Sequence, residues 1–136
     1  MVNYKFTDDF KKRFTPEEEN FELVNRLKLE PRDYQNDVVK LALKHRFGTF
    51  VMGTGAGKTL TIASIIDNLF RLKKIKRCLI LVPDNGLVIQ FYDELKEQYG
   101  LNLKISTFYG KSNEIDKDAD LIIANRPLFL ARFGAN

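Results

Sequence analysis

The chain has 136 residues, a formal net charge of +4, 44% apolar residues and 29% charged residues. That suits one domain with enough apolar side chains for a core. No apolar run approaches the roughly 18 residues of a membrane-spanning helix, the charged opening MVNYKFTDDFKKRF has no apolar signal core, and a lone cysteine, Cys78, leaves no internal disulfide. We expect an intracellular, cytoplasmic protein with no membrane partner. Basic residues gather at Lys11, Lys12 and Arg13 and again in RLKKIKR, at Arg71, Lys73, Lys74, Lys76 and Arg77. They permit a polyanionic partner without demanding one.

Residues 1–30 are charged and read as an accessory segment, with residues 31–136 as the domain proper. Within the segment, TPEEENFELVNRL predicts a helix. Thr15 is its N-cap, Pro16 its first residue, and Glu18 closes the capping box. In PRDYQNDVVKLALKHRFG, Val38, Leu41, Ala42 and His45 fall at helical spacing and Gly48 is the stop. TFVM then predicts a strand, followed by a glycine turn and a helix over 57–72. RCLILVP predicts a buried strand, because its apolar run is continuous rather than alternating, with Cys78 as a small core residue. Asp84 caps a helix to about Tyr99, which Gly100 ends. LKISTFYG predicts a strand, KSNEIDKDAD a polar loop, DLIIAN a short buried strand, and Arg126 starts a helix. Apolar strands alternating with helices imply an α/β fold, a mostly parallel sheet flanked by helices.

The glycine turn carries the chemistry. Gly53, Gly55 and Gly57 alternate around Thr54 and Ala56 in GTGAGKT. Glycine lets the backbone approach a ligand closely and take positive φ. Successive N–H groups then cradle phosphate oxygens, and the helix that follows adds partial positive charge. In the P-loop pattern G-x-x-x-x-G-K-S/T, Lys58 reaches the β- and γ-phosphates and Thr59 gives its hydroxyl to Mg²⁺. The first position of that pattern is Met52 here, not glycine. Gly55, Gly57, Lys58 and Thr59 still occupy the phosphate-binding turn, between an apolar stretch and a helical pattern.

MGTGAGKT is similar to motif I of superfamily 2 helicases and translocases. Other stretches follow in that family's order over roughly residues 29–130. PRDYQ resembles the upstream Q-motif, which implies that Arg32 and Gln35 join the ATP site, with Gln35 reading the adenine edge. LVPDNGLVIQ resembles motif Ia through Val82, Pro83, Leu87 and Gln90, and implies nucleic-acid contacts at Pro83, Asn85 and Gln90. Asp84 stands where the family often has Thr or Ser, and its charge would oppose a phosphate. ISTFYG resembles the next strand, with Gly110 at its end and Lys111 where a second glycine is frequent. In DADLIIANRPLF, Asn125 takes the place of a common Thr, with Arg126 beside it as a second nucleic-acid candidate. The nearest flavour is the phage UvsW-like and restriction-enzyme-like translocases. The resemblance implies a RecA-like P-loop NTPase domain, incomplete here, with ATP and Mg²⁺ as cofactors and Lys58 and Thr59 as the catalytic pair. The implied partners are nucleic acid, DNA ahead of RNA, and a second RecA-like domain.

An NTPase also needs carboxylates to hold Mg²⁺ and orient water. The family supplies them in a D-E-x-H or D-E-x-D motif downstream of the segment resembling DLIIAN, and no such pair follows a strand here. Asp93 and Glu94 lie in a predicted helix; Asp118 and Asp120 lie in a polar loop. We therefore expect the N-terminal part of a larger helicase, binding ATP but hydrolysing it poorly alone. Two alternatives stay open: a non-catalytic nucleic-acid module with a relic P-loop, and another P-loop enzyme such as a small-molecule kinase.

Overall fold

The computed structural model describes residues 22–52 and 57–134. The expected helix start at Thr15, Pro16 and Glu18, and the turn residues Gly53, Thr54, Gly55 and Ala56, lie outside the described residues. The chain divides after Leu72 into two compact units.

In the first unit, α1 spans Asp33–His45. Gln35 sits at its third position and reaches back, its Oε1 accepting Arg32 N–H at 2.8 Å. That satisfies a backbone donor the helix start leaves unpaired. Val38, Val39 and Leu43 form its buried stripe. The helix stops before the expected Gly48, because Arg46 takes the left-handed conformation (φ 66°) and its N–H closes on Ala42 O at 2.9 Å. Burial, with help from Lys44, pushes the His45 imidazole below its ordinary range.

Residues 49–52, expected as a strand, form none. Strand structure needs a pairing partner for its backbone groups, and no described strand pairs with this stretch.

The second helix, α2, spans Lys58–Arg71. It buries Leu60, Ala63 and Ile66, and also Thr61, Ser64, Asp67 and Asn68. Buried polar groups need partners, and these have them. Thr61 Oγ1 donates to Gly57 O at 3.0 Å and Asn68 Nδ2 to Ser64 O at 2.9 Å. Asp67 receives Arg26 through Nε at 2.9 Å and Nη2 at 2.7 Å. Asn68 Oδ1 accepts Val24 N–H at 3.2 Å, and Arg71 donates to Glu22 O. Residues 22–26 are thus strapped along the C-terminal half of α2 and are not helical, contrary to the pattern in TPEEENFELVNRL. The Val24 N–H that a helix would use internally is spent on Asn68.

Asp67 is 5% exposed in its side chain and Arg26 50%. Arg26→Met should cost about 1–3 kcal/mol, less than a fully buried pair, because half of Arg26 already sees water. The shift of the urea midpoint at unchanged slope measures it.

The second unit holds β1 (Cys78–Val82), α3 (Asn85–Asp93), β2 (Ile105–Phe108), β3 (Leu121–Asn125) and α4 (Arg126–Phe133). Its three strands are all parallel in the order β1-β3-β2, with Leu79 opposite Ile122 and Phe108 opposite Ala124. Asp84 caps α3 as expected, Oδ1 accepting Leu87 N–H at 2.8 Å. A wide turn over Glu94–Gln98 continues α3, with Tyr99 N–H bonded to Glu94 O at 2.8 Å, before Gly100 ends it at φ 65°. Leu95 and Tyr99 are both buried.

Phe108, Ala119, Ile122 and Ala124 make a core cluster, with Ile115, Leu128 and Phe129 packed on it. Phe108, Phe129 and Phe133 meet with ring centroids 5.1–6.1 Å apart. β3 is buried as expected. β1 is not buried throughout: Leu79 and Leu81 are 44% and 39% exposed. They share their sheet face with Ile122 and Ala124, but α4 covers that face over β2 and β3, while β1 is an edge of the described sheet. Cys78 is half-buried, and burial pushes its thiol up, away from nucleophilic character. Part of the basic run is structural, since Arg77 donates to Ala119 O at 3.3 Å and Asp116 O at 3.4 Å.

Candidate nucleotide and nucleic-acid sites

In the first unit the structure brings Gln35, Gly57, Lys58 and Thr59 into one neighbourhood. Gly57 is the N-cap of α2, at φ 76° and ψ 45°, with no side chain capping the helix. This left-handed geometry favours glycine. Lys58 and Thr59 are the first two residues of α2. The Lys58 side chain is exposed and Thr59 is half-buried. A helix start without a side-chain cap keeps N–H donors available to an anion.

Gln35 is 3% exposed, and its Nε2 donates to Gly57 O at 3.0 Å across a sequence separation of 22 residues. Its amide therefore spans from the start of α1 to the start of α2. The sequence singled out both residues but not this bond, because nothing in spacing pairs them. Arg32 is exposed at the N-cap of α1.

In the second unit, the C-terminal ends of the three parallel strands carry the other candidates. Asn85 and Asn125 meet: Asn125 Nδ2 donates to Asn85 Oδ1 at 2.8 Å. Gly110, at φ 61°, donates its N–H to the same oxygen at 3.3 Å. Asn125 Oδ1 accepts Leu128 N–H at 3.0 Å and so caps α4. Pro83, Arg126 and Gln90 are exposed, and Gln90 bonds Glu94 one turn along its own helix at 3.1 Å. Gln90 is therefore not drawn into the Asn85 junction. Gly110 is the residue that motif matching undervalues; its signal was the glycine closing ISTFYG.

Known proteins are similar to this chain in sequence and in fold. Residues 28–131 match the family described as Type III restriction enzyme, res subunit. Reverse gyrase of Methanocaldococcus jannaschii is 32% identical over 99 residues, covering 71% of this chain and 6% of that protein. DNA 3'-5' translocase XPB2 of Sulfurisphaera tokodaii is 37% identical over 70 residues, 52% of this chain and 15% of its own length. The chain thus spans a small fraction of these relatives. Among solved structures, the UvsW helicase from bacteriophage T4 superposes with a TM-score of 0.67 at 23% identity, covering 90% of this chain and 44% of that one. The Sulfolobus solfataricus SWI2/SNF2 ATPase core in complex with dsDNA gives 0.59 at 19% identity, over 82% and 24%. Both structures share the fold. The chain belongs to the Type III restriction enzyme res subunit family, among the superfamily 2 helicases and translocases, and carries the α/β fold of their RecA-like motor domain.

Proposed function

We propose that this chain is the ATP-binding part of an ATP-dependent nucleic-acid helicase or translocase, acting on DNA ahead of RNA. The observation that carries the reading is the uncapped, glycine-led start of α2, with Lys58 exposed at its first position and Gln35 holding the turn. Lys58 would meet the β- and γ-phosphates of ATP and Thr59 would hold Mg²⁺, with Gly53, Thr54, Gly55, Ala56 and Gly57 supplying backbone donors. Bound Mg²⁺ would neutralise charge between those phosphates. Arg32 and Gln35 border this site; the Gln35 amide, buried and engaged by Arg32 N–H and Gly57 O, would brace the turn for the nucleotide rather than pair with its base. In the second unit, Pro83, Asn85, Gln90, Asn125 and Arg126 lie at or after strand ends, where a nucleic-acid backbone would be held with salt-dependent affinity. Efficient turnover would draw on carboxylates and a second RecA-like domain of a larger assembly.

The test is ATP binding and turnover by this chain, with and without single-stranded DNA. Lys58→Ala should weaken ATP binding about 10- to 100-fold, the range of a charge-assisted contact. Nucleic-acid binding without any ATP binding would support the relic-module alternative instead.

A further inference from the structure

We propose that the open edge of β2 is a docking groove for an extended peptide of a partner protein, which adds to the sheet as a further strand. This inference stands apart from the nucleotide and nucleic-acid readings.

β2 is an edge of the described sheet, in the order β1-β3-β2. Successive residues of a strand turn their N–H and C=O to opposite sides. Lys104 O accepts Asp120 N–H at 2.9 Å and Leu121 N–H at 3.1 Å, so Lys104 faces β3. Ser106 and Phe108 then face β3 as well, and Ile105, Thr107 and Tyr109 face outward. Ser112 serves Tyr109: its Oγ accepts Tyr109 N–H at 3.3 Å and its N–H donates to Tyr109 O at 3.0 Å. That leaves the N–H and C=O of Ile105 and Thr107, to which no described residue bonds from the open side. Two donors and two acceptors at strand spacing are matched by another extended backbone. Proteins commonly blunt such an edge with charge, proline or a bulge. Ile105, Ser106, Thr107 and Phe108 bring neither charge nor proline, and they pair with β3 in unbroken register.

A cleft of about 340 Å³ runs beside this edge. Ile105, Ser106, Thr107 and Tyr109 line it on one side, Ile89 and Tyr92 of α3 on the other. Residues 89 and 92 lie one turn apart and share a helix face. Ile89 is 46% exposed there. Helix wall and strand edge together suit a peptide that pairs its backbone with β2 and seats small β-branched side chains at alternate positions. Charge sets its ends. Lys96 Nζ bonds Leu103 O at 3.3 Å near the entry to β2, and exposed Lys111 stands beyond its exit. Acidic residues on either side of the apolar centre complement them. Lys104 is already paired with Asp116 at 3.4 Å.

The probe is a synthetic peptide, acetylated and amidated, alternating valine and threonine between glutamate ends. Two further forms carry N-methyl groups on alternate nitrogens, each form blocking one edge of the peptide. Fluorescence anisotropy gives their affinities for the full chain, and amide hydrogen exchange reports on Ile105 and Thr107. We expect the unmethylated peptide to bind and to slow exchange at both amides. One methylated form should bind about 10- to 100-fold more weakly, the loss of two hydrogen bonds. The other should bind like the unmethylated peptide. Lysine ends in place of glutamate should weaken binding about 2- to 5-fold, the worth of exposed ion pairs. Thr107→Pro removes an outward donor and leaves the ladder to β3 intact, so it should weaken binding about 10-fold or more. Should that variant fail to fold, the methylated peptides on the unaltered chain decide alone. Equal binding by all three peptides would overturn strand addition. No binding by the unmethylated peptide at about 1 mM would overturn it too. A concentration-dependent dimer that Thr107→Pro dissolves would give the edge to a second copy of this chain instead, which also overturns the proposal.

Discussion

Gly57→Ala should destabilise the first unit by about 2–5 kcal/mol and abolish ATP binding. Two penalties combine. An L-residue at φ 76° costs about 1–2 kcal/mol. The new Cβ would also overlap Gln35 Nε2. That amide is the end of a side chain, and ends of side chains often swing away cheaply. This one is buried and fixed at both poles, to Gly57 O and to Arg32 N–H. Displacing it forfeits both bonds, about 1–3 kcal/mol. The backbone donors around Gly57 would move with it, and a phosphate cradle tolerates little displacement. The two penalties separate in a double-mutant cycle. In a Gln35→Ala background the clash is gone, and Gly57→Ala should cost only about 1–2 kcal/mol. Equilibrium urea unfolding gives the stabilities and calorimetric titration the ATP affinity. An alanine variant as stable as the parent would mean that Gly57 is not held as described.

Phe108→Ala should cost the second unit about 3–5 kcal/mol, the range for deleting a buried aromatic ring. Phe108 is 1% exposed and is the last residue of β2. Its ring meets Phe129 edge-on at 6.1 Å and Phe133 at 5.6 Å. Those contacts add about 0.5–1.5 kcal/mol each beyond buried area. They help fasten α4 to the sheet, beside Leu128 and Phe129 packed on the core cluster and the Asn125 cap, so a truncated side chain leaves a cavity beneath a short helix. Small domains have about 5–15 kcal/mol in total, and this loss would take much of it. Phe108→Leu keeps most of the volume and should cost less than about 1.5 kcal/mol. Urea unfolding separates the two, and near-equal stabilities for alanine and leucine would contradict the packing.

Where sequence reading succeeded, local chemistry decided the outcome. The helix after GKT, the cap at Asp84 and the stop at Gly100 each depend on residues within a few positions, and the three paired strands coincide with the continuous apolar runs. It failed where structure depends on partners. TFVM has strand composition, but a strand exists only when paired. Leu79 and Leu81 sit in an apolar run, yet their exposure is set by which face α4 covers. Residues 22–26 follow a good capping signature, but bonds to Asn68 and Asp67, more than 40 residues away, replace the helix. The site shows the same division. The helix start at Gly57, Lys58 and Thr59 was legible from a motif. The bonds of Gln35 to Gly57 and of Asn85 to Asn125 were not, because they join segments 22 and 40 residues apart.

The wide turn at the end of α3 has a bearing on how this chain tolerates insertion and deletion. A five-residue bond such as Tyr99 to Glu94 houses one residue more than a regular turn. Removing any one residue between 94 and 98 would restore regular winding without breaking the helix. Tyr99 would stay on nearly the same face, because five residues of the wide turn and four of a regular one both close about one turn above position 94. A deletion in the regular part of α3 would instead rotate all that follows by about 100° and carry the buried Tyr99 off its face. The wide turn thus absorbs its surplus residue locally, and its loss leaves the approach to β2 in place.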